Sequence, residues 1–289
     1  MKGLPAAALM LAAPVAVVAQ VPAATPFALD ASPIQGGLAR GVAPVGTRTL
    51  MLGTVPVPVA PDGRFLIAFD RDAAPAIDLV ATLADGRTLR QTLTVAPRAW
   101  RIERLDTLPR GTQPTEEFTR RRASELARIA AARAVERVSD GWRQRFVWPA
   151  TGRISGLFGS QRIYRQEPGA YHGGVDVARP TGTPVVAPAD GVVALAADAP
   201  FTLEGNLLMI DHGMGLVSAF LHLSRIDVKP GDVVRQGQPI GAIGATGRAT
   251  GPHLHWGMTW RGSRIDPLLV AGPMPASSPL PTGTPARDR

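Results

Sequence analysis

The sequence predicts an all-β chain: an immunoglobulin-like β-sandwich in front, one helix, and an antiparallel-sheet domain behind. Three observations carry that prediction. Glycine and proline are abundant, 31 and 28 among 289 residues that are 45% hydrophobic, which suits short strands and turns better than helical bundles. Apolar residues alternate with polar or small ones in two separate regions, the period of a half-buried strand. Only one stretch, residues 115–138, carries helix signals.

The elements follow in order. Residues 1–19 read as a secretory signal, with Lys2, an apolar run from Leu4 to Val18, and Val17-Val18-Ala19 before Gln20. The run is short and broken by Pro5 and Pro14, so it makes a poor membrane span. Export to the periplasm or cell envelope is expected. Residues 20–97 read as the sandwich. Leu50 and Leu52 alternate with their neighbours, as do Phe65, Ile67 and Phe69, then Ile77, Leu79 and Leu83, then Leu89, Leu93 and Val95. Pro61-Asp62-Gly63 and Asp85-Gly86 supply turns. This module has no histidine, and a spacer or targeting role is expected of it.

Residues 98–145 read as a basic helical linker. Thr115 is the expected N-cap, Glu116 and Glu117 suit the first turn, and Phe118, Leu126, Ile129 and Ala130 form an incomplete apolar stripe. From Arg110 to Arg145 there are nine arginines against five acids, half of the chain's net charge of +8. A solvated linker is the plain expectation. The sharper one is contact of Arg120, Arg121, Arg122 and Arg128 with anionic envelope polymer or lipid, weakening with salt. Residues 146–270 return to strands: Gly191–Leu195, Asn206–Asp211 and Leu216–Leu223, then Val/Ile-plus-Gly turns near Gly231, Gly237 and Gly241. Residues 271–289 are rich in Pro, Ser and Thr, and are expected to be disordered.

Absent residues exclude as much as present ones suggest. With no cysteine, there is no disulfide framework, thiol nucleophile or Cys-rich structural zinc site. Lys2 and Lys229 are the only lysines, so arginine carries the positive charge. For an exported chain, cell-wall polymer or lipid head groups are the natural counter-charge, and nucleic acid is not.

All five histidines fall between residues 172 and 255. Four lie in three segments: His172-Gly-Gly-Val-Asp176, Phe220-Leu-His222-Leu, and Gly251-Pro-His253-Leu-His255. Neutral imidazole is the commonest metal-binding side chain, and Asp176 adds a hard oxygen. On a strand His253 and His255 share one face, and Phe220 and His222 are expected to share another. Three protein donors with a fourth position open is the arrangement of a catalytic zinc site. His212, in Asp211-His212-Gly213, is assigned a structural role at a turn. The His-Glu-x-x-His motif is absent, and Glu167 and Glu204, the domain's glutamates, adjoin no motif histidine. Five candidates compete for three ligand places, which leaves two histidines for proton transfer.

Together, Gly156-Leu-Phe-Gly159 with Arg162, His172-x-x-x-Asp176, Leu221-His222-Leu223, Gly237-Gln238 and Gly247-x-x-x-Gly251-Pro-His-Leu-His255 resemble the lysostaphin-like, LytM-type zinc endopeptidases. The resemblance covers residues 146 to 270. It implies that His172, Asp176 and His255 hold Zn2+, that His222 and His253 are catalytic, and that peptide stems of peptidoglycan are cut by metal-activated water. It implies too a narrow groove over an antiparallel sheet. Phe220 stands where many relatives have tyrosine, and Gly257 where many have an acid; neither change removes a ligand. Some relatives block the zinc with an upstream asparagine; here the one asparagine, Asn206, lies inside the domain, so no such switch is expected. A monomer is expected. The rival readings are a non-enzymatic regulator and a wall-binding module using the same groove.

Overall fold

The computed structural model describes residues 26–107 and 115–275. The signal segment, and the tail apart from its first residues, lie outside that range. Among the described residues no helix is long and apolar enough to cross a membrane. The chain is mostly β, as expected.

The front module holds two antiparallel sheets. One orders Ala28–Leu29, Leu38–Val42 and Arg64–Ala68; the other orders Val55–Pro56, Thr47–Leu52, Ala76–Leu83 and Thr88–Thr94. The alternating residues Leu50, Leu52, Phe65, Ile67, Phe69, Leu79, Leu83, Leu93 and Val95 are all buried. Strand Arg64–Ala68 departs from alternation, because Leu66 is buried as well. Leu66 pairs with Arg40, whose guanidinium donates to the carbonyls of Trp142 and Gln144. The second face of this sheet therefore meets the end of the connector, and one apolar cluster runs from the front module into the domain behind.

The connector differs from the expected solvated linker. Ile102–Leu105 is a strand, paired in parallel with Gln161–Tyr164 of the domain behind. The helix runs Glu116–Ala134, shorter than 115–138, and the Thr115 side chain caps it by accepting from the amide of Phe118. Leu126 and Ala130 are exposed, whereas Ile129, Ala132 and Glu125 are buried. Ile129 and Ala132 cluster with Leu195, Leu207, Met209 and Val217 of the main sheet and with Phe201 of the connection before Asn206. The buried carboxylate of Glu125 accepts from the amide and hydroxyl of Thr202. Three of the four arginines assigned to envelope polymer have partners in the domain: Arg121 with the Pro200 carbonyl, Arg122 with Glu204, and Arg128 with Asp198. A run of charges on a helix looks solvated in sequence when its partners lie 70 or more residues away.

The main sheet is antiparallel and orders Val233–Val234, Gly191–Ala196, Asn206–Asp211, Leu216–Leu223, His253–Trp260, Gly174–Ala178 and Arg153–Gly156, with Ser263–Ile265 also paired to His253–Trp260. His253–Trp260 shows how sequence sets this geometry. Leu254, Trp256, Met258 and Trp260 are at most 1% exposed and face the core. The alternate residues His253, His255 and Thr259 are half-buried on the other face, as a period of two requires. Register does the rest, setting His255 opposite Asp176 on one neighbour and Leu221 on the other.

Candidate metal centre

Three donors converge. His255 Nδ1 lies 2.9 Å from Asp176 Oδ1 and 3.1 Å from His172 Nε2, and His172 Nε2 lies 3.1 Å from the same carboxylate oxygen. Nitrogen and oxygen ligands about 2.0–2.2 Å from a tetrahedral ion lie about 3.3 Å apart, so the triangle needs only slight expansion to hold Zn2+. The His172 Nδ1 hydrogen bond to the Leu157 carbonyl, 3.1 Å, turns the lone pair of Nε2 toward the cluster. Burial opposes charge at Asp176, yet the hydrogen bonds and positive character of His172 and His255 hold its carboxyl well below the usual range. Burial also opposes charge at His172, but Asp176 outweighs it and raises the ring's pKa. Burial lowers His255. Such a cluster holds a carboxylate anionic and crowds protons where a cation would sit. The donor set fits Zn2+.

Gly156 makes room for it. It faces Asp176 across the pairing with Arg153–Gly156, and a Cβ placed there would stand 2.2 Å from Asp176 Oδ2. Gly156→Ala is expected to push the carboxylate aside and weaken zinc binding at least about tenfold, the scale for disturbing groups that orient a ligand. Zinc titration of the purified variant checks this, and unchanged affinity would refute it.

Two more imidazoles stand beside the donors. The rings of His222 and His253 lie 4.8 Å apart, and His253 Nε2 is 3.9 Å from Asp176 Oδ1. His222 Nδ1 meets the Thr246 carbonyl at 2.9 Å, and His253 Nδ1 meets the Gly251 carbonyl at 2.8 Å. Each Nδ1–H is thereby occupied, leaving Nε2 as the free nitrogen. Burial holds the His222 pKa below its usual value, which favours the neutral ring.

The expectation that Phe220 and His222 share a face is corrected. Phe220 is fully buried in the core, while the His222 ring lies against His253 and His255. His222 has φ +64°, a left-handed backbone that breaks the strand's alternation and turns its ring to the groove. Its amide donates to the Glu204 carbonyl, 2.8 Å. Strained non-glycine backbone of this kind collects at functional sites. Thr246 has no signal in the sequence, and Glu204 is set aside there as adjoining no motif histidine, because each meets His222 through a backbone carbonyl, which leaves no side-chain signature.

His212 stands apart. It is 0% exposed, bonded to the Asp190 carbonyl at 2.8 Å and to Ser218 Oγ at 2.9 Å, and Ser218 Oγ also accepts from Trp256. Burial pushes its pKa down to about 4. The unfolded chain takes up a proton here below about 6.5, whereas the folded chain resists until about 4. Stability is therefore lost as pH falls through that window, by at most about 3 kcal/mol. In urea melts of metal-free protein, the margin of the wild type over His212→Gln should shrink from pH 7 to pH 4. A margin independent of pH would contradict this account.

Two imidazoles and a carboxylate gathered on and beside an antiparallel sheet, with two further imidazoles presenting Nε2 alongside, define the class of a hydrolytic metal centre. Residues 170–267 match the model described as Peptidase family M23. The chain is 41% identical over 137 residues to "Peptidoglycan DD-endopeptidase ShyA" of Vibrio cholerae, covering 47% of this chain and 31% of that protein. It is 42% identical over 127 residues to "DD-carboxypeptidase/endopeptidase Mpg" of Neisseria meningitidis, covering 43% of this chain and 28% of that protein. The chain thus spans about a third of the length of these curated relatives. A crystal structure of a putative peptidase M23 from Pseudomonas aeruginosa is similar over 83% of this chain and 95% of its own, with TM-score 0.63 and 29% identity.

Proposed function

We propose that this chain is an exported zinc endopeptidase that hydrolyses peptide cross-links of peptidoglycan. In this reading His172, Asp176 and His255 hold the metal, and His222 and His253 serve the reaction. The observation that carries it is the meeting of three donors within 3.1 Å of one another beside two imidazoles whose Nε2 atoms are free. Zn2+ bound there supplies Lewis acidity for a carbonyl and lowers the pKa of water. The neutral His222 accepts a proton at Nε2 and is kept in that tautomer by the Thr246 carbonyl. His253 presents its own Nε2 on the Asp176 side of the groove, placed to orient the attacking water or to steady the developing oxyanion. Relatives named DD-endopeptidases support a DD cross-link as the bond cut, and an envelope location.

The finer domain organisation is part of the proposal. The two facing sheets of the front module support an immunoglobulin-like sandwich within residues 20–97. The 98–145 connector is then built into the catalytic domain of 146–270 rather than strung before it. An anionic-polymer contact on the helix has less to rest on, since only Arg120 of the four arginines lacks a domain partner among the described residues.

The test is incubation of the zinc-loaded protein with purified sacculi. Release of monomeric muropeptides, stopped by a chelator and restored by Zn2+, is expected. A zinc-loaded protein that leaves sacculi and cross-linked muropeptides intact would favour the regulator or wall-binding reading.

A further inference from the structure

Of the three convergent donors, Asp176 and His255 sit on strands of the main sheet, whereas His172 lies two residues before the strand Gly174–Ala178. Its aim therefore depends on what holds the chain there. Three bonds to residues 157–160 do so. The His172 amide donates to the Ser160 carbonyl at 2.8 Å, its carbonyl accepts from the Gly159 amide at 2.9 Å, and its Nδ1 meets the Leu157 carbonyl.

Residues 157–160 are held in turn by the front module. Residues 69–72 follow the strand Arg64–Ala68 and reach the chain on both sides of His172. On one side, Arg71 Nε donates to the Gly159 carbonyl at 3.0 Å, and its Nη2 donates to Gln161 Oε1 at 3.0 Å. Gly159 thus links Arg71 to His172, with its carbonyl toward one and its amide toward the other. On the other side, the Asp70 carboxylate accepts from the Tyr171 hydroxyl at 3.2 Å and from the Arg264 amide at 2.8 Å. Tyr171 is the residue before His172.

Aromatic rings enclose this tie. The Arg71 guanidinium lies 4.8 Å from the centre of the Tyr171 ring and 5.3 Å from that of Trp100. Phe158 stands edge-on to both rings. Trp100 covers Gly159, where φ is +78° and a Cβ would stand 2.2 Å from the indole, so only glycine fits. Arg71 is 6% exposed, and its one carboxylate partner, Asp72, is mostly in solvent. A buried guanidinium so placed is a poor source of stability, but its planar fork fixes orientation.

We propose that Asp70 and Arg71 are positioning residues for the metal ligand His172, holding the two backbone segments that aim its Nε2. The front module is then part of the metal centre and not a spacer before it. The proposal rests on the reading of His172 as a ligand.

The experiment measures zinc affinity of the full chain by competition with a chelator, and the visible spectrum of Co2+ bound in place of zinc. Arg71→Met keeps an unbranched side chain between the rings and removes both donors. It should weaken zinc binding at least about tenfold, the scale for groups that orient a ligand, and shift the Co2+ spectrum, which a merely structural role would leave alone in the folded protein. Arg71→Lys can still donate to the Gly159 carbonyl and should recover part of the affinity. Arg98→Met breaks another ion pair across the same seam, with Asp266, and should leave zinc affinity unchanged. A folded Arg71→Met that binds zinc as the wild type does overturns the proposal, and so does an equal loss in Arg98→Met. Where Arg71→Met does not fold, Tyr171→Phe decides, because it removes only the hydroxyl that Asp70 holds: weaker zinc binding supports the tie, and unchanged affinity overturns it. His172→Ala separates the two readings. If it keeps zinc, the ligand reading falls and takes the positioning role with it. If it loses zinc while Arg71→Met keeps it, the positioning role alone falls.

Discussion

Replacing His172, Asp176 or His255 by alanine is expected to strip the chain of zinc and reduce hydrolysis to background. Each residue supplies one of three convergent atoms, and two donors do not make a site that retains Zn2+ through purification. The loss should exceed the 10–100-fold typical of removing a group that merely orients a ligand. A second readout comes from linkage. Zinc at about a hundred times its Kd stabilises the native chain by about 2.7 kcal/mol, so the wild type should melt higher when zinc is added. The alanine variants should show no such rise. A variant of Asp176 that binds zinc with wild-type affinity would remove the carboxylate from the site.

His222→Ala and His253→Ala are expected to keep the metal and still lose turnover by on the order of 100-fold or more, the scale for deleting a general base or a transition-state donor. The His222 change removes the ring, and with it the free Nε2 beside His253, but leaves the left-handed backbone at φ +64° in place. Alanine tolerates that conformation no better than histidine, so the fold should suffer little more than the loss of the Thr246 contact. Melting within a few degrees of wild type together with slow turnover is the expected pairing. Full activity in either variant would leave the proton transfers to groups not named here.

Much of the site was legible because its residues are chemically rare. Five histidines in one stretch, with Asp176 at a fixed spacing, announce a metal centre before any fold is known. The His-x-His pair was equally readable, since alternation on a strand obeys local geometry: Leu254 and Trp256 go down, His253 and His255 go up. His222 shows where that rule stops. Its left-handed backbone is accompanied by an amide bond to the Glu204 carbonyl and a ring bond to the Thr246 carbonyl, 18 and 24 residues away, and local alternation placed its ring on the wrong face. The connector fails for a similar reason. A basic helix with a broken apolar stripe looks solvated until Glu204, Asp198 and Thr202 are seen to claim its arginines and its buried glutamate. The parallel pairing of Ile102–Leu105 with Gln161–Tyr164 joins strands about 60 residues apart in sequence, beyond the reach of periodicity.

The division of labour between ligands and catalysts is tested most directly on a single strand. His253 and His255 are two residues apart on one face, so damage to the strand would affect both alike. The measurement is zinc stoichiometry of purified His253→Ala and His255→Ala beside their rates on a cross-linked muropeptide. The account predicts that His255→Ala is empty and inert, whereas His253→Ala is fully loaded and slow. A His253→Ala protein that arrives without zinc, beside a His255→Ala protein that retains it, would contradict the assignment.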